Sequence, residues 1–91
     1  MINAFTATVF GRVQGVGFRF HVKSRAISLN LTGWVRNSPE GTVEILANGP
    51  INDLEQLLHY IKAGSIGSQV VKVDFQWFWS ERAFKNFEIT E

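Results

Sequence analysis

Arg19 closes the run Gly11-Arg12-Val13-Gln14-Gly15-Val16-Gly17-Phe18-Arg19, the stretch of the chain richest in groups that bind anions. Glycine tolerates positive φ, so successive backbone N–H groups in such a loop can turn inward and form a nest around an oxyanion. An arginine at its end adds a planar fork of donors that matches phosphate geometry. Each charge-assisted hydrogen bond of this kind contributes ~1.5–3 kcal/mol. Other phosphate loops fit less well. A Walker A loop requires Gly-Lys-Ser/Thr, which is absent, and the dinucleotide fingerprint requires a third glycine where Phe20 stands. Spacing alone leaves an ordinary glycine-rich turn with a solvated Arg19 as an equal reading.

Asn37 is the second residue of interest. It precedes Ser38-Pro39-Glu40-Gly41, where an asparagine commonly shapes a turn. A turn role leaves one end of the amide free to face a pocket. The remaining candidates carry less. His21 and His59 have no partner at metal-ligand spacing, and no Ser-His-Asp set or Gly-x-Ser-x-Gly elbow is present. Glu40 and Glu44 flank a turn and read as solvated. Trp77, Phe78 and Trp79 suggest a base-stacking surface, as on RNA-binding sheets. Alternation instead points Trp77 and Trp79 into the core and only Phe78 outward.

The elements that must position these residues follow from periodicity. Ala4 to Phe10 alternates as a half-buried strand that continues to about Val13. Phe18, Val22, Ala26 and Leu29 share one helical face, and Asn30 suits the left-handed residue that ends a helix. Residues 31–36 and 42–47 read as two strands joined by the turn at 37–41. Asn52 with Glu55 three residues on reads as a helix cap. Leu54, Leu57, Leu58 and Ile61 form that helix's apolar face, and Gly64 ends it. Val71 to Trp79 alternates as a long fourth strand, and Phe87 with Ile89 marks a short fifth.

The order β-α-β-β-α-β plus a terminal strand predicts an α+β, ferredoxin-like split βαβ sandwich, with two helices on one face of an antiparallel sheet. Right-handed crossovers make the first two strands parallel, so both end at the same side of the sheet. The glycine-rich loop leaves one strand there and Asn37 the other, about 10 Å apart with one strand between them. The first helix begins at this side too, and its free N–H groups and positive dipole end face the same space. The topology therefore predicts a pocket of anion size between the loop and Asn37.

Bulk properties narrow the functional classes. Residues 1–91 read as a single domain, with 45% hydrophobic and 13% aromatic residues to fill a core. Cysteine is absent, which rules out disulfides and thiolate metal sites and suits a reducing cytoplasm. The opening Met1-Ile2-Asn3-Ala4 has no basic flank of a secretory leader, and no apolar run approaches the ~18–20 residues of a membrane span. Net charge is +1, against a dedicated nucleic-acid binder. Its distribution is uneven: Arg12, Arg19, Lys23, Arg25 and Arg36 all precede Glu40, the first acidic residue. With no helical zipper seam, a monomer is expected.

Together the two motifs resemble those of the acylphosphatase family. The signature Gly-x-Val-Gln-Gly-Val-x-Phe-Arg matches Gly11, Val13, Gln14, Gly15, Val16, Phe18 and Arg19. Gly-aromatic-Val-x-Asn-x-x-x-Gly-x-Val matches Gly33, Trp34, Val35, Asn37, Gly41 and Val43, with Gly49 following. The resemblance implies hydrolysis of a small-molecule acyl phosphate to carboxylate and phosphate, with no metal or other cofactor. It implies that Arg19 and the backbone amides of Gln14, Gly15, Val16, Gly17, Phe18 and Arg19 hold the phosphoryl group, and that Asn37 holds the attacking water. Related domains also open large carbamoyltransferases, so a non-catalytic module that holds phosphate or carbamoyl phosphate is the alternative. The chain departs from the usual family pattern at Val22, at Asn30 and in Ser65-Ile66-Gly67-Ser68, which lacks the usual proline pair.

Overall fold

A computed structural model describes residues 2–90. The elements are β1 (Ile2–Arg12), α1 (Phe18–Ser28), β2 (Thr32–Asn37), β3 (Val43–Asn48), α2 (Ile51–Ala63), β4 (Gln69–Ser80) and β5 (Phe87–Thr90). They build one sheet in the order β4-β1-β3-β2-β5. β1 and β2 both pair antiparallel with β3, so they are parallel to each other, as the crossover argument requires. α1 packs on β2 and β5, α2 on β1 and β4, and the helices meet each other. The Arg25 guanidinium lies 4.3 Å from the Tyr60 ring centroid across that seam.

Alternation in β1 turns Phe5, Ala7 and Val9 into the core, where they meet Val35, Ile45 and Ala47 from the sheet. Phe18, Val22 and Ala26 of α1 and Leu54, Leu57, Leu58 and Ile61 of α2 are buried above them. Asn30 ends α1 as the sequence indicates, with φ 58°. The Leu31 N–H donates to the Ala26 carbonyl at 2.9 Å and the Asn30 N–H to that of Ile27 at 3.0 Å, which is a Schellman termination. Asparagine therefore does at this position what glycine more often does.

Three expectations need correction. The cap of α2 is Pro50, with no side-chain cap bond. The extended Pro50 already offers its carbonyl to the Leu54 N–H at 3.0 Å, so Asn52 falls inside the first turn. The sheet is mixed, because β5 runs parallel to β2. β4 ends at one edge, and residues 81–86 carry the chain across the sheet's end to the opposite edge, where it turns back along β2. Finally, Trp77 and Trp79 do not fill the core. They are 41% and 71% exposed. β4 is the outermost strand, so only part of it reaches under α2, and Trp77 merely leans edge-on against Phe5 with centroids 5.6 Å apart.

Gly33 has φ 141°, and a Cβ there would overlap the Leu46 carbonyl oxygen and crowd the Ala47 Cα on the neighbouring strand. Gly33→Ala should lower unfolding stability in urea by about 3 kcal/mol or more, through backbone strain and displacement of the β2–β3 ladder.

Candidate active site

The loop between β1 and α1 is anchored by Val13 and Phe18, both buried, so the residues between them are held at the sheet's end. Gly15 and Gly17 have φ of 75° and 76°. No atom would obstruct a Cβ at either position, so it is the backbone conformation and not crowding that calls for glycine. Two left-handed residues separated by Val16 give the alternating geometry in which amides converge on an anion. α1 then starts from Gly17, with no side-chain cap and no acidic residue in its first turn. Its first internal bond is from the His21 N–H to the Gly17 carbonyl, which leaves the preceding amides, including that of Arg19, as unused donors. A helix start left bare in this way attracts an anion. Arg19 lies here half-buried and forms no ion pair among the described residues.

Asn37 is the last residue of β2 and pairs with Val43. Its Oδ1 is buried and accepts no hydrogen bond from the described residues. An amide oxygen in that condition is a strong acceptor for an O–H donor. The turn after it is closed firmly. The Ser38 N–H donates to the Thr42 carbonyl at 2.9 Å, the Ser38 and Thr42 hydroxyls lie 2.6 Å apart, and the Gly41 N–H reaches the Ser38 carbonyl at 3.2 Å.

The loop and the hairpin are joined by one side chain. Gln14 Nε2 donates to the Ser38 carbonyl at 2.8 Å and to the Thr42 carbonyl at 3.0 Å. Both protons of one amide nitrogen are thereby used to fasten the loop to the mouth of the Asn37 hairpin. Sequence reasoning placed Gln14 at the site through its backbone amide only and passed over Ser38 and Thr42. The available signal was a two-donor side chain within a glycine-rich loop facing a turn whose carbonyls can each accept a second hydrogen bond.

Other candidates stay apart from this centre. His59 is exposed on α2, and Glu40 is exposed in the turn. Glu44 is engaged on the open sheet face, where Arg36 Nε donates to its Oε1 at 2.8 Å while the same guanidinium stacks 4.5 Å over Trp34. Among the described residues no cluster of three or more His, Cys, Asp or Glu side chains has the geometry to hold a metal ion. Ser65-Ile66-Gly67-Ser68 holds its turn without proline: the Ser68 hydroxyl accepts from the Ser65 N–H at 2.7 Å and donates to the Ser65 carbonyl at 2.8 Å.

A fold of this class, with a glycine-rich loop and an asparagine at one sheet end, is matched by known proteins. The acylphosphatase family model matches residues 5–89. An acylphosphatase of Salinibacter ruber is 42% identical over 84 residues, covering 92% of this chain and 88% of that one. The crystal structure of an acylphosphatase from Bacillus subtilis superposes with a TM-score of 0.94 at 39% identity, over 98% and 99% of the two chains. A full-length HypF in a phosphate- and nucleotide-bound form matches with a TM-score of 0.83 at 30% identity, over all of this chain but only 12% of its own. The chain belongs to the acylphosphatase family.

Gln14→Leu removes both brace bonds at little change in volume. It should cost about 1–2 kcal/mol of stability and at least about tenfold in kcat/KM, because a displaced loop misplaces its donors. Comparison of urea midpoints with steady-state kinetics checks both. A variant that loses stability but keeps full activity would show that the brace does not position the site.

Proposed function

We propose that Arg19 and Asn37 carry out, between them, the hydrolysis of acyl phosphates that this chain catalyses. The observation that supports this assignment best is the Gln14 brace, which fastens the loop to the strand end bearing Asn37. The phosphoryl oxygens lie in the nest of amides from Gln14 to Arg19, with the Arg19 fork on two of them. These donors offset the charge that builds on the phosphoryl oxygens in the transition state. Asn37 Oδ1 accepts a hydrogen bond from the attacking water and holds its oxygen in line with the bond to be broken.

The water oxygen bonds to phosphorus as the phosphorus–oxygen bond to the acyl group breaks. The electron pair leaves on a carboxylate, whose conjugate acid has a pKa near 4, so departure needs no protein acid. The water's proton passes to a phosphate oxygen of the substrate. The proposed roles of Arg19 and Asn37 are thus positioning and electrostatic, and no histidine or carboxylate dyad is required of the protein.

One chain, taken as a single domain of residues 1–91, supplies every group in this scheme. No helix among the described residues is long and apolar enough to cross a membrane. The cysteine-free composition suits a reducing cytoplasm, the compartment we assign. The alternative of a non-catalytic phosphate- or carbamoyl-phosphate-holding module is not favoured, since the likeness to acylphosphatases extends over nearly the whole of both chains.

With benzoyl phosphate as substrate and EDTA present, the wild type should turn over at its full rate. Arg19→Ala and Asn37→Ala should each lower kcat by on the order of 10²–10³, as loss of one positioned donor or acceptor does. Near-wild-type turnover in either variant would remove that residue from the mechanism.

A further inference from the structure

β3 is the middle strand of the sheet, and its last residue, Asn48, pairs with Ala4 on one side and with Thr32 on the other. The Asn48 side chain is buried, and neither Oδ1 nor Nδ2 has a hydrogen-bond partner among the described residues. Buried amides are ordinarily satisfied, so the fold makes no use of an amide at this position. Of the six asparagines, Asn48 alone precedes a glycine. That glycine is fixed by the fold. Gly49 has φ 151°, and a Cβ there would overlap Leu31 Cδ2.

We propose that Asn48-Gly49 is a self-modification site, closed in the folded protein and open whenever this end of β3 comes apart. In the opened chain the Gly49 nitrogen loses its proton and bonds to Asn48 Cγ. The Cγ–Nδ2 bond breaks, and the amino group takes up a proton and leaves as ammonia. Water opens the resulting five-membered imide at either carbonyl. The product is aspartate, or its isomer in which the main chain runs through the side-chain carboxyl. Amide and water thus become carboxylate and ammonium, with no oxidant, cofactor or second protein. Glycine favours the attack because no Cβ shields its nitrogen.

Three features hold the reaction off in the native state. The Gly49 N–H donates to the Asn3 carbonyl at 3.0 Å, so the nitrogen is engaged and keeps its proton. Pairing on both sides holds Asn48 extended, and the nitrogen cannot swing onto Cγ without breaking the ladder. Burial keeps water and base from the amide. The rate therefore follows the population of the opened state. Neither product suits the fold. A carboxylate would sit buried where the structure offers no donor. The isomer lengthens the main chain by one carbon inside a strand bonded on both sides. Since β1 and β2 both pair with β3, either change disturbs the strand that holds the two halves of the site together. The reaction marks chains that have lingered unfolded and hinders their return.

Ammonia release and peptide mapping, run in concentrated urea and in native buffer at one mildly alkaline pH, test the proposal. In urea, conversion should appear at Asn48 before any of the other five asparagines. In native buffer it should be at least about 100-fold slower, because it requires opening of the central strand. Chains converted at position 48 should refold with a lowered urea midpoint and recover less benzoyl phosphate hydrolysis. Asn48→Asp, which reproduces one product, should show the same lowered midpoint. Asn48→Ala has no side-chain carbonyl to attack and should lose the fastest phase of ammonia release in urea, a measurement that does not depend on whether the variant folds. Conversion at Asn48 as fast in native buffer as in urea would overturn the protection by the fold. Faster conversion in urea at another asparagine, or an unchanged fast phase in Asn48→Ala, would overturn the site. Converted chains with wild-type midpoint and activity would overturn its effect on refolding.

Discussion

The site depends on a single constraint: β1 and β2 share β3 as their antiparallel neighbour. Two strands paired to the same third strand must run the same way, so the loop leaving β1 and the turn leaving β2 emerge on one side of the sheet. Nothing in the local chemistry of either segment would bring them together. The strand spacing then fixes their separation near 10 Å, a distance a phosphoryl group and one water can bridge. Gln14 turns this proximity into a defined geometry by fastening one segment to the other.

Electrostatics follow from the same arrangement. The basic residues of the first half fall at the end of β1, on α1 and on β2, while α1 opens without a side-chain cap. An uncapped helix start, two left-handed glycines and a guanidinium are thereby gathered at one end of the sheet. No desolvated carboxylate has to be overcome there, since the first turn of α1 holds none. The site has little to rearrange as charge develops, which is the condition under which fixed dipoles stabilise a transition state best.

Much of this was legible in the sequence because it rests on short-range rules. The helix faces, the left-handed Asn30 and the two converging motifs obey periodicity and backbone sterics that act over a few residues. The errors concern what distant parts of the chain decide. Alternation in Val71–Trp79 correctly signals a strand, yet it cannot reveal that β4 lies at an edge, where a tryptophan facing the helix side projects beyond the helix. Asn52 has good capping chemistry, but Pro50 two residues earlier begins the helix first. The direction of β5 depends on where residues 81–86 carry the chain. The side chain of Gln14 was hidden for a similar reason, since its partners lie 24 and 28 residues away.

The interior position of β1 also governs how the protein is made. β1 leaves the ribosome before both strands that flank it, β3 on one side and β4 on the other, so that Asn3 finds its bond to Trp79 only 76 residues later. At synthesis rates of about 5–20 residues per second, β1 waits several seconds with one hydrogen-bonding edge unpaired. The glycine-rich loop is therefore assembled on a strand that becomes secure only after β4 has emerged. Nascent chains stalled before residue 80 would therefore carry the whole phosphate loop and Asn37 without the strand that steadies their scaffold.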